Sequence, residues 1–184
     1  MSLTPEASVD AFLETPQAIC AITHTPLDAQ SIIASVQDGH AGATAVFIGT
    51  TRNSFKGKSV TRLEYQAYSS LAIKTMSAIA HDAINAASRS EHHPTPTPLP
   101  APETQPDSHT STAQAIIKCA VHHRLGTVPI GEPSIVIAVS SPHRKEAFVA
   151  CEEILEQVKR KAQIWKREYY EGEDEKEAQW KANA

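Results

Sequence analysis

Two groups of basic side chains bracket one predicted helix. Ser140-Ser141-Pro142-His143-Arg144-Lys145-Glu146-Ala147-Phe148 opens it; Lys159 and then Ile164-Trp165-Lys166-Arg167-Glu168 stand at its far end. Ser141 reads as the N-cap and Pro142 as the first helical residue. The free N–H groups and the macrodipole at a helix start already favour negative charge. His143, Arg144 and Lys145 therefore work against the helix there. They suit an anion instead, because helix N-termini bind phosphate.

Lys159 follows Val158 at the edge of the helix's apolar face, which can turn its head into a cleft. A partly desolvated lysine beside other cations can act as nucleophile or general base. An ordinary solvated run, Lys159-Arg160-Lys161, fits the same spacing. Trp165, beside Lys166, serves either as core or as a stacking face for a flat ligand. Arg52-Asn53 follows a predicted buried strand. An arginine at such a turn can grip phosphate with its planar fork, and a solvated loop looks no different in sequence. His122-His123-Arg124 reads as a structural strand-end cluster bonding to loop carbonyls.

The elements that must position these groups follow from periodicity. Gln17–Thr23 and Ala43–Gly49 read as strands, and Leu27–Val36 as a weak helix stopped by Asp38-Gly39. Arg52–Lys58 reads as a turn, and Val60–Tyr68 as a strand forming a hairpin with the one before it. Leu71, Ile73, Met76, Ile79, Ala80, Ala83 and Ile84 give a helix of several turns. Ala115–Val121 is a strand, 125–132 a loop with two glycines, and Ser134–Val139 a β-branched buried strand. The helix from Pro142 to about Ala162 buries Phe148, Cys151, Ile154, Leu155 and Val158. A short extended end comes after it. This order predicts an α+β fold with helices on a largely antiparallel sheet.

Residues 1–16 read as a flexible lead, 17–170 as a single domain, and 171–184 as a charged tail. Pro94, Pro96, Pro98, Pro100, Pro102 and Pro106 mark 89–113 as a disordered insertion, since this composition buries too little apolar surface to offset ordering entropy.

Composition narrows the function. The chain has 184 residues and a formal net charge of -4, which gives no global basic field for nucleic acid. No apolar run approaches the ~18 residues of a membrane span, and the acidic N-terminus lacks a secretory pattern. Cys20, Cys119 and Cys151 are far apart and odd in number, which points to reduced cytosolic thiols. His92, His93 and His109 lack the thiol or carboxylate spacing of a zinc site, so no metal or cofactor is expected. Nucleotide-loop, zinc-protease and serine-hydrolase motifs do not occur.

In family order, the chain resembles the large, catalytic subunit of molybdopterin synthase, the MoaE family. The matching pieces are Phe47-Ile48-Gly49-Thr50-Thr51-Arg52-Asn53 with Gly57 and Val60, then Leu63-Glu64-Tyr65-Gln66-Ala67-Tyr68. His123-Arg124-Leu125-Gly126, Gly131-Glu132, Val139 through Arg144 with Ala147-Phe148, and Lys159 through Glu168 continue it. The resemblance implies a hammerhead-like α+β fold and a cytosolic sulfurtransferase of molybdenum cofactor biosynthesis. It implies sulfur transfer from the C-terminal thiocarboxylate of a small ubiquitin-like MoaD-type subunit to cyclic pyranopterin monophosphate. A homodimer core within a heterotetramer is implied too. Carried over by position, Arg52, His143 and Arg144 bind the pterin phosphate, with Thr50 and Thr51 as the adjoining backbone of the substrate site. Lys159 and Lys166 are the essential lysines, and Arg167 and Glu168 complete the wall. Thr51, Gln66 and Gln163 depart from the usual pattern, Gln163 standing where a proline is common.

Overall fold

A computed structural model describes residues 6–89 and 115–183. The strands expected at 17–23, 43–49 and 134–139 fall close to their expected bounds, whereas the one expected at 115–121 runs from Lys118 to Arg124. In order, the elements are β1 (Ala11–Glu14), β2 (Ala18–Thr23), α1 (Ala29–Ser35), β3 (Ala43–Thr50), β4 (Ser54–Phe55) and β5 (Lys58–Ala67). They continue with α2 (Ser69–Arg89), β6 (Lys118–Arg124), β7 (Gly126–Pro129), β8 (Pro133–Ser141), α3 (Arg144–Lys161), β9 (Ile164–Tyr170) and β10 (Lys181–Ala182).

One sheet runs β1-β2-β6-β8-β3, antiparallel except for the β2–β6 pair. The second runs β10-β9-β5-β4, with β7 also paired to β5. The fold is α+β, as expected from the sequence. β8 is buried along nearly all its length because both faces of its sheet are covered. Ile135, Ile137 and Val139 face the main core with α2 and α3, and Val136 and Ala138 face Ile32 of α1 and Val36 at its C-cap. A strand covered on both faces reads as a continuous apolar run. α1 begins at Asp28, whose carboxylate accepts from the Gln30 and Ser31 N–H groups. On α2, Ala72, Ile73, Met76, Ile79, Ala80, Ala83 and Ile84 recur at helical spacing and are all buried.

Several expectations are corrected. β3 and β5 do not form a hairpin: β3 pairs with β8, and β5 with β9 in the other sheet. The hairpin is instead the short β4–β5 turn, with Lys56 at φ 48° and Gly57 at φ 80°, the pair of positive φ values that a two-residue type I′ turn requires. The 125–132 stretch is not all loop, since β7 adds to the β5 edge. Ser141 does not cap α3. It ends β8, its hydroxyl donates to the Ala115 carbonyl, and the N-cap is His143 with no side-chain capping bond. Phe148 does not join the core: it is 66% exposed, and Ala147 and Ala150 are buried in its place. Residues 6–16 are tied down rather than loose. β1 pairs with β2, and buried Ser8 accepts the Ala67 N–H. The tail also folds back, pairing Lys181 and Ala182 with β9. Residues 90–114, which hold nearly all of the expected insertion, and the histidines at 92, 93 and 109 lie outside the described residues.

Candidate active site

The end of β3, the last turn of α3 and the start of β9 converge on one pocket of about 200 Å³. Its wall includes Thr50, Arg52, Lys159, Lys166 and Glu168, with Phe47, Phe55, Leu63 and Leu155 as apolar surface. Each element aims its residue for a local reason. The β3–β8 register shifts between Gly49 and Thr50, and such a bulge bends a strand and re-aims the side chains beyond it. A Cβ on Gly49 would stand 2.7 Å from Ile135 Cγ2 and 3.2 Å from the Phe47 ring, so the close approach needs glycine. Beyond the bulge, Arg52 lies over the Phe55 ring at 5.6 Å.

Lys159 sits in the last turn of α3 with Arg160 and Lys161, where cations complement the helix dipole. Lys166 and Glu168 are two apart on β9 and so share a face. Register pairs them with Tyr65 and Leu63 of β5. Glu168 is nearly enclosed. It accepts from the Tyr170 hydroxyl at 2.6 Å, and its oxygens lie 3.9 Å from Lys166 Nζ and 4.0 Å from Lys181 Nζ. Burial first, and that carboxylate second, push the Tyr170 phenol up to about 12.

Thr51 is buried and serves as a lock, its hydroxyl donating to the Val128 carbonyl at 3.3 Å. Arg167 projects from the other face of β9. It bonds Glu64 at 2.8 Å and stacks over Tyr169 and Trp180. His143 and Arg144 begin α3, some fifteen residues before Lys159, or about 22 Å along the axis. Within one chain they do not reach this pocket. Sequence patterns alone did not mark Tyr65 and Asn183 as pocket residues, and gave His123 only a structural role. His123 does bond a backbone carbonyl, in keeping with that role, but it also forms pocket floor. Nothing in the tail's charge pattern marks Asn183.

The MoaE protein family matches residues 22–161. A Phaeosphaeria nodorum protein named molybdopterin synthase catalytic subunit is 42% identical over 184 residues, covering 99% of this chain and 81% of its own length. The chain belongs to the MoaE family. A Coccidioides immitis member of the same name is 36% identical over 172 residues, spanning 94% of this chain and 74% of that one. Among solved structures, molybdopterin synthase from Staphylococcus aureus superposes with a TM-score of 0.66 at 28% identity, over 87% of this chain and 94% of that one. The complex of subunits 1 and 2 of molybdopterin-converting factor from Helicobacter pylori shares the fold, with a TM-score of 0.58 at 20% identity over 84% and 86% of the two chains. The MoaE match spans Arg52, His143, Arg144 and Lys159, and the longer alignments extend through β9. No helix among the described residues is long and apolar enough to cross a membrane.

Proposed function

We propose that this chain is the catalytic subunit of a molybdopterin synthase, a sulfurtransferase of molybdenum cofactor biosynthesis. It takes sulfur from the C-terminal thiocarboxylate of a small ubiquitin-like MoaD-type carrier. Two such sulfurs, one from each of two carrier thiocarboxylates, are installed on cyclic pyranopterin monophosphate to make the dithiolene. The observation that carries the reading is the meeting of Arg52, Lys159 and Lys166 around one pocket in a chain of this family. Three cations suit a phosphate, and the apolar wall suits a flat ring system.

Lys159 assists acyl and proton transfer at the thiocarboxylate. Lys166, set by Glu168, stabilises negative charge as the cyclic phosphate opens. Thr50 and Arg52 bind substrate, with Thr51 fixing the backbone between them. Glu168 orients Lys166, and Arg167 buttresses the strand from behind. His143 and Arg144 complete the phosphate site from a second copy of the chain, because one chain holds them about 22 Å from Lys159. The working assembly is then a homodimer core with one carrier at each outer end, acting in the cytosol.

Reconstitution tests this. The chain is mixed with thiocarboxylated carrier and cyclic pyranopterin monophosphate, and the dithiolene product is assayed. Product that depends on this chain is expected. Tight carrier binding without product would instead identify a scaffold that docks the carrier and does no chemistry.

A further inference from the structure

His123 forms part of the pocket floor and is 1% exposed. Its Nδ1 lies 2.8 Å from the Arg124 carbonyl oxygen. A carbonyl only accepts, so Nδ1 carries the proton and donates. Burial keeps the ring neutral, pushing its pKa down to about 4. Nε2 is then a bare lone pair that can only accept. Its partner is the side-chain amide of Asn183, with Nδ2 at 3.1 Å. The Tyr65 ring meets the imidazole edge-on with centroids 5.0 Å apart and holds its plane. The backbone thus decides the tautomer, and the tautomer decides what Nε2 can bind.

The long side chains that surround this floor are donors: Arg52, Lys159 and Lys166. The acceptor Glu168 is already engaged by Tyr170. An anion satisfies the cations, but each proposed occupant also carries amide-type N–H groups, on the pterin ring or on the backbone of the carrier's tail. Such a group taken out of water needs an acceptor. Asn183 demonstrates that an amide N–H fits at Nε2.

We propose that His123 is a specificity-determining residue, whose Nε2 accepts an amide-type N–H of the group seated over Lys159 and Lys166. The Asn183 amide exchanges for that N–H, one amide donor for another. The inference rests on the function proposed above, and it adds a directional contact that phosphate binding alone does not give.

Two near-isosteric variants test it. In His123→Asn the amide N–H takes the place of Nδ1 and keeps the Arg124 bond, while the acceptor is lost. In His123→Gln the amide oxygen reaches the place of Nε2, so the acceptor stays and the Nδ1 donor is lost. The full chain is titrated with cyclic pyranopterin monophosphate alone and with the carrier alone, and KM and kcat are then measured in the reconstituted reaction. His123→Asn should weaken one of the two ligands, and raise its KM, about tenfold more than His123→Gln does. Weakening on the pterin arm identifies a ring N–H, and weakening on the carrier arm identifies the tail. Equal behaviour of the two variants on both arms overturns the proposal. A third readout needs no variant: the 15N signal of Nε2 in the wild-type chain should sit in the unprotonated range and move when the ligand is added. A protonated Nε2 also overturns it. Failure of wild type to form product would count against the proposed function, while the binding arms and the 15N signal still report on His123.

Discussion

Lys159 and Lys166 reach the same pocket from different supports, and this difference separates their expected behaviour. Lys159 stands on the exposed last turn of α3, whereas Lys166 is held on a strand beside enclosed Glu168. Lys159→Ala should abolish dithiolene formation while leaving carrier binding nearly intact, measured by turnover and by co-elution. Wild-type-like turnover would remove Lys159 from the mechanism. His123 makes a separate prediction about pH. Its folded pKa is depressed to about 4 by burial, against about 6.5 for an unfolded chain. Between these values the unfolded state binds the extra proton, so stability falls as pH drops from about 6.5 toward about 4, by on the order of 3 kcal/mol. Burial lowers the His122 pKa as well, and that acts in the same direction. Urea unfolding at about pH 7 and about pH 5 should show a larger loss for wild type than for His123→Gln. Identical losses would mean that the buried imidazole does not govern this window.

At the scale of elements, the pocket depends on how β3 ends. Gly49 lets β3 press against Ile135 of β8, and the register shift beside it directs Thr50 and Arg52. Gly49→Ala puts a methyl where the β-branched Ile135 has little freedom to yield. A destabilisation of about 1–3 kcal/mol is expected, with a rise in KM larger than the loss of stability explains, because Arg52 is re-aimed. Thermal melts and steady-state kinetics check both, and an unchanged KM would separate the bulge from the site. Elements with a local signature were legible in the sequence. The β-branched run of β8, the helical spacing of apolar residues in α2 and the Asp28 start of α1 each carry their own pattern. Pairings set by distant partners were not. β3 and β5 look like a hairpin because they are close in sequence, yet each finds a better-matched strand from the C-terminal half. β1, β7 and β10 have four residues or fewer, too short for alternation to show. Phe148 has the spacing of a core residue, but the small Ala147 and Ala150 bring the helix close and turn Phe148 outward. Of the site, Arg52, Lys159 and Lys166 were legible through the family motifs that hold them, whereas charge opposing the helix dipole marks only His143, Arg144 and Lys145 at the start of α3. His123 and Asn183 were not recognised as pocket residues, since only the folded chain brings the tail onto the strand end.

The whole molecule leaves a phosphate-suited pair, His143 and Arg144, exposed about 22 Å from Lys159 on the same helix. No bending of α3 closes that gap, since its middle is fixed in the core through Ala150, Cys151, Ile154 and Val158. In the proposed homodimer the pair serves the reaction across an interface, with each copy lending its helix start to the other. Exposed Phe148 and Val149 on the same turn of α3, at 66% and 58%, give apolar surface for such a contact. Complementation decides the matter. Lys159→Ala and Arg144→Ala should each be inactive alone. Mixed in equal amounts and allowed to exchange subunits, half the dimers are heterodimers, each with one site carrying both defects and one carrying neither. Activity should therefore return to about a quarter of wild type. If Arg144 acted in its own chain's pocket, every site in the mixture would still carry one defect, and no activity would return.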